Sequence, residues 1–373
     1  MKSISHRERV LNTFNHIESD RVPKDLMGNA TMILDDTYIR LRDYLGLSPI
    51  DPIRKGSSAN YYDERILDYF DIDFRRIFLK ANTEYNTIVK NDDGTFTDVW
   101  SVQYRKDGLF ITAIDHPLAD IQTIKEIENY PWPRADKMFD LKGLEEKARE
   151  LYYRTDYAVV ARNPLTAGFI DRACQLMGTE NFLISLISRP KIVKCILEHI
   201  FQIYSSVYSF FLEEVGEYIQ MVETADDIGT QDSLLLSPEH YREFIKPLEK
   251  KFYQFIHEKA PNAAVFRHTD GSVFSLIPDF IELGINVLNP VQTSSHGMDG
   301  ERLKNFFGDE ITFHGAIESL NEPLYKIEQE VKEKMAIFKN RGGYIFAPCN
   351  HIINTRPENI IGLFEAAERY GSY

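Results

Sequence analysis

Short apolar runs alternate with amphipathic stretches through most of the second half of the chain. The runs are YAVVARNP (157–164), YIQMVETADDIG (218–229), AAVFRHTDG (263–271), INVLNPVQ (285–292), ITFHGAIE (311–318) and GYIFAPCN (343–350). Each is rich in β-branched and aromatic residues and ends in polar or small ones, the pattern of parallel strands covered on both faces. Between them the spacing predicts helices. SRPKIVKCILEHIFQIYSSVYSFFLEEVG places Ile192, Val193, Ile196, Leu197 and Ile200 on one face, with Ser188 as N-cap and Pro190 in the first turn. SPEHYREFIKPLEKKFYQFIHEKA opens with Ser237-Pro238, and its Pro247 predicts a kink. The last helix carries Thr355 and Glu358 at capping-box spacing, Pro357 in its first turn and Gly371 at its end.

Strand–helix alternation at this rhythm predicts a parallel sheet with crossover helices, and about eight such units close most economically into an α/β (β/α)8 TIM barrel. The expected organisation is one barrel domain over 1–373, with an N-terminal extension and an antiparallel β insertion at about 84–140. In that insertion Asp93-Gly94 and Asp107-Gly108 read as hairpin turns, and Thr123 with Glu126 as a capped turn before a Pro-Trp-Pro loop.

Composition narrows the function. The 373 residues carry 43 basic and 57 acidic side chains, a net charge of −14, which argues against nucleic acid as a partner. No apolar run has the length of a membrane span, and the N-terminus shows no secretory pattern. Cys174, Cys195 and Cys349 are odd in number and widely spaced, so no disulfide framework is expected and the cytoplasm is the expected compartment. The aromatic-rich insertion is compatible with a homodimer.

The active site of such a barrel lies at the carboxyl ends of its strands. These ends carry Asn163; Glu223, Asp226 and Asp227; His268 and Asp270; Asn289 and Gln292; Glu318; Cys349, Asn350 and His351. His268 and Asp270 are two apart on an extended segment and share a side of the pleat, so both can reach one ion. Cys349 would approach across the mouth from the last strand. An N, O and S set with one open position suits catalytic zinc. Spacing alone leaves a second reading open: His-x-Asp is a common strand ending, and Cys349 after Pro348 is a small buried filler. Glu223, Asp226 and Asp227 crowd another strand end, where neighbouring carboxylates raise one another's pKa toward acid–base use. Glu223 is the candidate fourth ligand or proton handler and Asp226 a second catalytic carboxylate. Asp227 is read as a helix cap or loop anchor, and Asn163, Gln292 and His351 as substrate contacts. His314, inside an apolar strand, reads as a satisfied core histidine.

The segments RERVLNTFNHIESDRVP, DERILDYFDIDFRRI, YPWP, DDIGTQDSLLLSPEHYREFIKP, HTDGSVFSLIPDFIELGINVLNPVQ and GGYIFAPCNHIINTRPENI together resemble the uroporphyrinogen decarboxylase superfamily. The resemblance implies a TIM barrel. Decarboxylases of the group carry an arginine-rich RQAGRY-like segment near the N-terminus; the corresponding VPKDLMGNATMI has no arginine. The other branch comprises cobalamin-dependent methyltransferases, whose members serving coenzyme M hold zinc with a His-x-Cys pair and a distant cysteine. By resemblance these map to His268 and Cys349, with Asp270 replacing the middle cysteine. A carboxylate in place of a thiolate makes the ion harder and a better Lewis acid toward oxygen. The expectation is therefore a zinc-dependent methyltransferase of a corrinoid pathway. It would move a methyl group between a small, O-methylated substrate or tetrahydrofolate and a corrinoid (cobalamin) carried by a separate protein, since the chain lacks an Asp-x-His-x-x-Gly signature. A decarboxylase and a non-catalytic ligand- or corrinoid-binding barrel are the alternatives.

Overall fold

The computed structural model describes residues 4–54, 57–85 and 88–373. Seven parallel strands form its central sheet in sequence order: β1 (Phe74–Ile77), β2 (Ala158–Ala161), β3 (Met221–Ala225), β4 (Ala264–His268), β5 (Val287–Asn289), β6 (Thr312–Ile317) and β7 (Tyr344–Pro348). The expected extension contributes the eighth position. Asp25 N donates to Phe346 O at 2.8 Å, Phe346 N to Pro23 O at 2.9 Å, and Asp73 N to Lys24 O at 3.0 Å. The segment at 23–25 thus lies between β7 and β1 and closes the curled sheet into a TIM-type ring. Proline in this segment reads poorly as strand, and so little of it is extended that its period is invisible in sequence.

Helices pack outside the sheet, the longest being Pro190–Val215, whose buried face includes Ile192, Val193, Ile196, Leu197 and Ile200 as the spacing predicts. Ser237 caps its helix by accepting from His240 N. Five residues at Tyr241–Ile245 then form a wide π turn before Lys246–Lys259. Pro247 supplies the cause, since it has no N–H for the carbonyl four residues back and its ring crowds that carbonyl. Two expected caps shift. Ser188 ends the preceding helix and donates back to Ile184 O at 3.0 Å, leaving Arg189 as N-cap. Thr355 donates to Ile353 O at 3.2 Å, and Arg356, held extended before Pro357, takes the cap position. The capping box at Thr123 and Glu126 does form.

The insertion is a four-stranded antiparallel sheet (Val89–Lys90, Phe96–Thr97, Gln103–Asp107, Phe110–Asp115), and the pairing of Lys80–Ala81 with Phe139–Asp140 ties its ends together. Among the described residues no helix is long and apolar enough to cross a membrane.

The barrel interior is layered. At the amino ends of the strands Phe74, Val160, Met221, Phe266, Val287 and Ile345 form an apolar cluster that Val10, from the helix His6–Phe14, plugs from below. One pleat period further on, the side chains become Arg76, Arg162, Glu223, His268, Asn289 and His314. The apolar plug bars water from below, so this polar layer must satisfy itself or face the mouth.

Candidate metal centre at the barrel mouth

The polar layer satisfies itself through one chain of contacts. Glu223 Oε1 accepts from Arg76 Nε at 2.9 Å, and both side chains are wholly buried. Arg76 also grips Asp25 through both terminal nitrogens, at 2.9 and 2.5 Å. Asp25 Oδ2 meets His314 Nε2 at 2.9 Å, His314 Nδ1 meets Asn289 Nδ2 at 2.8 Å, and Asn289 Oδ1 meets His268 Nδ1 at 2.7 Å.

This chain sets which ring nitrogen of a neutral His268 carries the proton. Burial works against a charge on Asp25, but Arg76 and His314 outweigh it and hold its carboxyl at about 2. Ionised Asp25 only accepts, so His314 Nε2 carries a proton, and in the neutral ring Nδ1 is then the bare nitrogen. Asn289 must then turn its amino group to His314 and its oxygen to His268. A neutral His268 then answers with Nδ1–H, which leaves Nε2 as the nitrogen that could take a metal. Zinc-ligating histidines are held in this way, with the far nitrogen donating to a fixed acceptor.

The free Nε2 faces carboxylates. It lies 3.7 Å from Asp227 Oδ1 and 3.9 Å from Asp270 Oδ2. Ligand atoms of Asp227, His268 and Asp270 all fall within 4.8 Å of one another. The strand register explains why: β3 and β4 pair Ala225 with His268, so the residues two further on, Asp227 and Asp270, meet on the same face. Asp270 N donates to Asp227 Oδ1 at 2.9 Å, and Asn350 Nδ2 donates to Asp270 Oδ2 at 3.1 Å, which orients both acids. Burial, opposed by His268 and reinforced by Asp227, pushes the Asp270 carboxyl above its ordinary value. Asp171 is pushed up to about 6 by burial and by Asp227, and buried Asp226 is raised by desolvation and by Asp171. So much crowded acid around one imidazole lone pair is relieved by a divalent cation. One nitrogen and two oxygens suit zinc with a position open to the mouth.

The expected residues divide. His268 and Asp270 come together, but their third companion is Asp227 and not Cys349. The Cys349 thiol is buried and points at Val291 O, 3.7 Å away. Burial, with Glu318 and Asp270 nearby, raises it well above the usual thiol range, so it stays protonated. Asp227 anchors the loop at Asp270, as expected, and also faces His268, whereas Asp226 takes a structural place. Asp226 anchors the helix Phe169–Met177, accepting from Ile170 N at 3.0 Å and Asp171 N at 3.2 Å. Glu223 serves the interior charge pairs with Arg76 and, at 3.5 Å, Arg162. Asn163 braces its own loop by accepting from Leu165 N at 3.0 Å and Tyr208 OH at 3.2 Å. Gln292 accepts from Gly271 N at 3.0 Å. His351 Nδ1 accepts from Met32 N at 3.2 Å; burial, then Arg162, His268 and Arg54, hold its imidazole down at about 3. His314 is buried and satisfied, as its apolar setting predicts, yet it is also a link in the chain that orients His268. Sequence reasoning misses Asp25 and Arg76 as parts of the site; only the pairing of the 23–25 segment beside β1 brings them there.

Replacing Asn289 with Leu cuts His268 from this chain. We expect zinc affinity to fall by roughly 10–100-fold, the usual cost of losing the partner that orients a ligating histidine; competition with a chromogenic chelator reads it.

Comparison with known proteins agrees with the fold. A methyltransferase from Methanosarcina mazei superimposes with a TM-score of 0.66 at 16% identity, over 99% of each chain. Xylanase 10B from Thermotoga maritima covers 63% of this chain and 82% of its own at 11% identity, with a TM-score of 0.37, too low to bear on the site. A search of curated protein sequences gives no match. The family model for uroporphyrinogen decarboxylase (URO-D) matches residues 112–370, from the second hairpin of the insertion through the C-terminal helix. That stretch is more than half of the sequence and includes the strand ends where the acids and imidazole gather. The chain belongs to the uroporphyrinogen decarboxylase family.

Proposed function

We propose that the protein is a zinc-dependent methyltransferase working with a corrinoid on a separate partner protein, and that Asp227, His268 and Asp270 hold the metal. The observation that carries this reading is the convergence of those three ligand atoms at the mouth, with His268 Nε2 turned toward both acids. Two further features support it. The structural neighbour from Methanosarcina mazei is itself described as a methyltransferase. The segment after the closing strand, Leu26–Leu34, carries no arginine of the kind with which decarboxylases of the family grip their substrate.

When bound, zinc would supply Lewis acidity toward oxygen, which suits an ether better than a thiol. The chain's own residues do the rest. Asn289 fixes the His268 ring, Asn350 and the Asp270 backbone fix the two carboxylates, and the apolar plug below keeps water from the floor of the site. A corrinoid on the partner would supply the nucleophile that accepts the methyl group, and the oxygen that gives it up would keep the C–O electron pair and need a proton. Asp171, whose Oδ2 accepts from Asp227 N at 3.4 Å, is the carboxyl beside the metal position that would handle this proton.

Anaerobic incubation of zinc-loaded protein with Co(I) cobalamin and a panel of methoxylated aromatics, methylamines and methyltetrahydrofolate tests the reading. Methyl-cobalt absorbance with an O-methyl or folate donor is the expected result. Carbon dioxide release from a tetrapyrrole acid with no methyl transfer would replace it with decarboxylation.

A further inference from the structure

We propose that Gly229 and Gly271 form a backbone clasp that fixes the separation of Asp227 and Asp270, and that this clasp restricts the position between the two acids to a small divalent cation. The ion rests on the reading above; the clasp stands on its own contacts.

The loops that follow β3 and β4 stay paired beyond the last strand partners, Ala225 and His268. Asp226 N donates to His268 O at 3.0 Å, Ile228 N to Thr269 Oγ1 at 3.1 Å, Asp270 N to Asp227 Oδ1 at 2.9 Å and Ser272 N to Thr230 O at 2.8 Å. The two acids sit inside this run, so the gap between the loops sets the gap between their backbones. At the outer end the two chains touch where both lack a side chain. A methyl group on Gly229 would collide with the Asp270 carbonyl oxygen and stand 2.9 Å from Ser272 N. One on Gly271 would stand 2.5 Å from Thr230 O and 2.7 Å from the Gly229 carbonyl carbon. These neighbours are backbone and cannot swing aside as the end of a long side chain does, so added bulk must move a whole loop. Gln292 Oε1 braces the clasp from a third loop by accepting from Gly271 N at 3.0 Å.

Asp227 lies two residues before Gly229, and Asp270 adjoins Gly271. Parting the loops therefore parts the acids. The ligand atoms of Asp227, His268 and Asp270, within 4.8 Å of one another, can close on an ion with bonds of about 2.0–2.2 Å, as zinc requires. A wider gap favours a larger ion that accepts imidazole and carboxylate, such as manganese(II). The glycines touch no ion. They are positioning residues that act through the two aspartates.

Three substitutions in the full chain separate collision from backbone strain. Gly229→Ala adds the collision alone, since Gly229 is not left-handed. Gly271→Ala adds the collision and, at φ +86°, left-handed strain; Gly143→Ala, at φ +75° with open space around it, adds strain alone. In chelator competition Gly229→Ala and Gly271→Ala are expected to lose zinc affinity by at least about tenfold and manganese affinity by less, so the zinc-to-manganese ratio falls. Gly143→Ala should keep the parent's ratio. In metal-free protein, hydrogen exchange across residues 264–275 should quicken by at least about tenfold in the two clasp variants and stay parental in Gly143→Ala. If neither clasp variant folds, Gln292→Ala, which frees Gly271 N without adding bulk, carries the test with the same direction expected. A parental metal ratio in the clasp variants overturns the proposal, as does an equal fall in Gly143→Ala. If the parent binds no zinc, the metal reading above falls by itself; the clasp then stands on quickened exchange and is overturned by parental exchange.

Discussion

His268→Ala is expected to yield a folded protein without zinc. The side chain sits at the mouth and is mostly buried, with one hydrogen bond to Asn289. Water can replace the lost imidazole there, so the fold should lose no more than about 1–3 kcal/mol. The metal loses its one nitrogen ligand, and the two remaining carboxylates repel each other. The affinity loss should exceed the roughly 100-fold upper range seen for losing only the orienting partner of such a ligand. Elemental analysis of protein purified without chelators should give stoichiometric zinc in the parent and background in the variant, with methyl transfer abolished in parallel. Cys349→Ser should keep its zinc, because the thiol bonds to Val291 O and stands outside the ligand group. Zinc retained in His268→Ala would remove the site.

Arg76→Met is expected to produce the largest loss of stability. The substitution leaves two wholly buried carboxylates, Asp25 and Glu223, without their shared cation. Breaking a buried pair from one side costs about 3–5 kcal/mol, and here two pairs break together. Urea denaturation should show it as a lowered midpoint with an unchanged slope. The pH dependence has a definite sign. In the parent, Asp25 is held at about 2 against an ordinary value of 3.8, so its stabilisation is present above about pH 4 and is lost as pH falls toward 2. In the variant burial prevails, the Asp25 pKa rises above its ordinary value, and its contribution to stability is lost as pH rises. The gap between the two proteins should therefore narrow from pH 7 to pH 4. A gap below about 1 kcal/mol at pH 7 would show that the polar layer contributes little.

The barrel was legible because its strands are buried on both faces and announce themselves as apolar runs with abrupt polar ends. All six runs from 157 onward became strands. The closing segment at 23–25 was not, because it holds its place through three backbone hydrogen bonds and carries no periodicity. The site was legible in half. His268 and Asp270 belong to one strand end, so pleat parity alone puts them together. Asp227 enters through the register between β3 and β4, a tertiary fact that two adjacent aspartates do not encode. Of that pair, the one nearer the helix Phe169–Met177 became its anchor and the next became free to face His268. Cys349 was placed by its position at the last strand end and by family likeness, and with aspartate at the middle position the donors that gather are oxygen and nitrogen. The interior charges were hidden for the same reason: Asp25, Arg76 and His314 are far apart in sequence and become one chain only when the ring closes.

X-ray absorption at the zinc edge on the loaded protein tests the central claim most directly. Coordination by Asp227, His268 and Asp270 predicts a shell of nitrogen and oxygen alone at about 2.0–2.2 Å, with the imidazole scattering lost in His268→Ala. A sulfur shell at about 2.3 Å would place Cys349 on the metal and contradict the assignment, as would the absence of bound zinc.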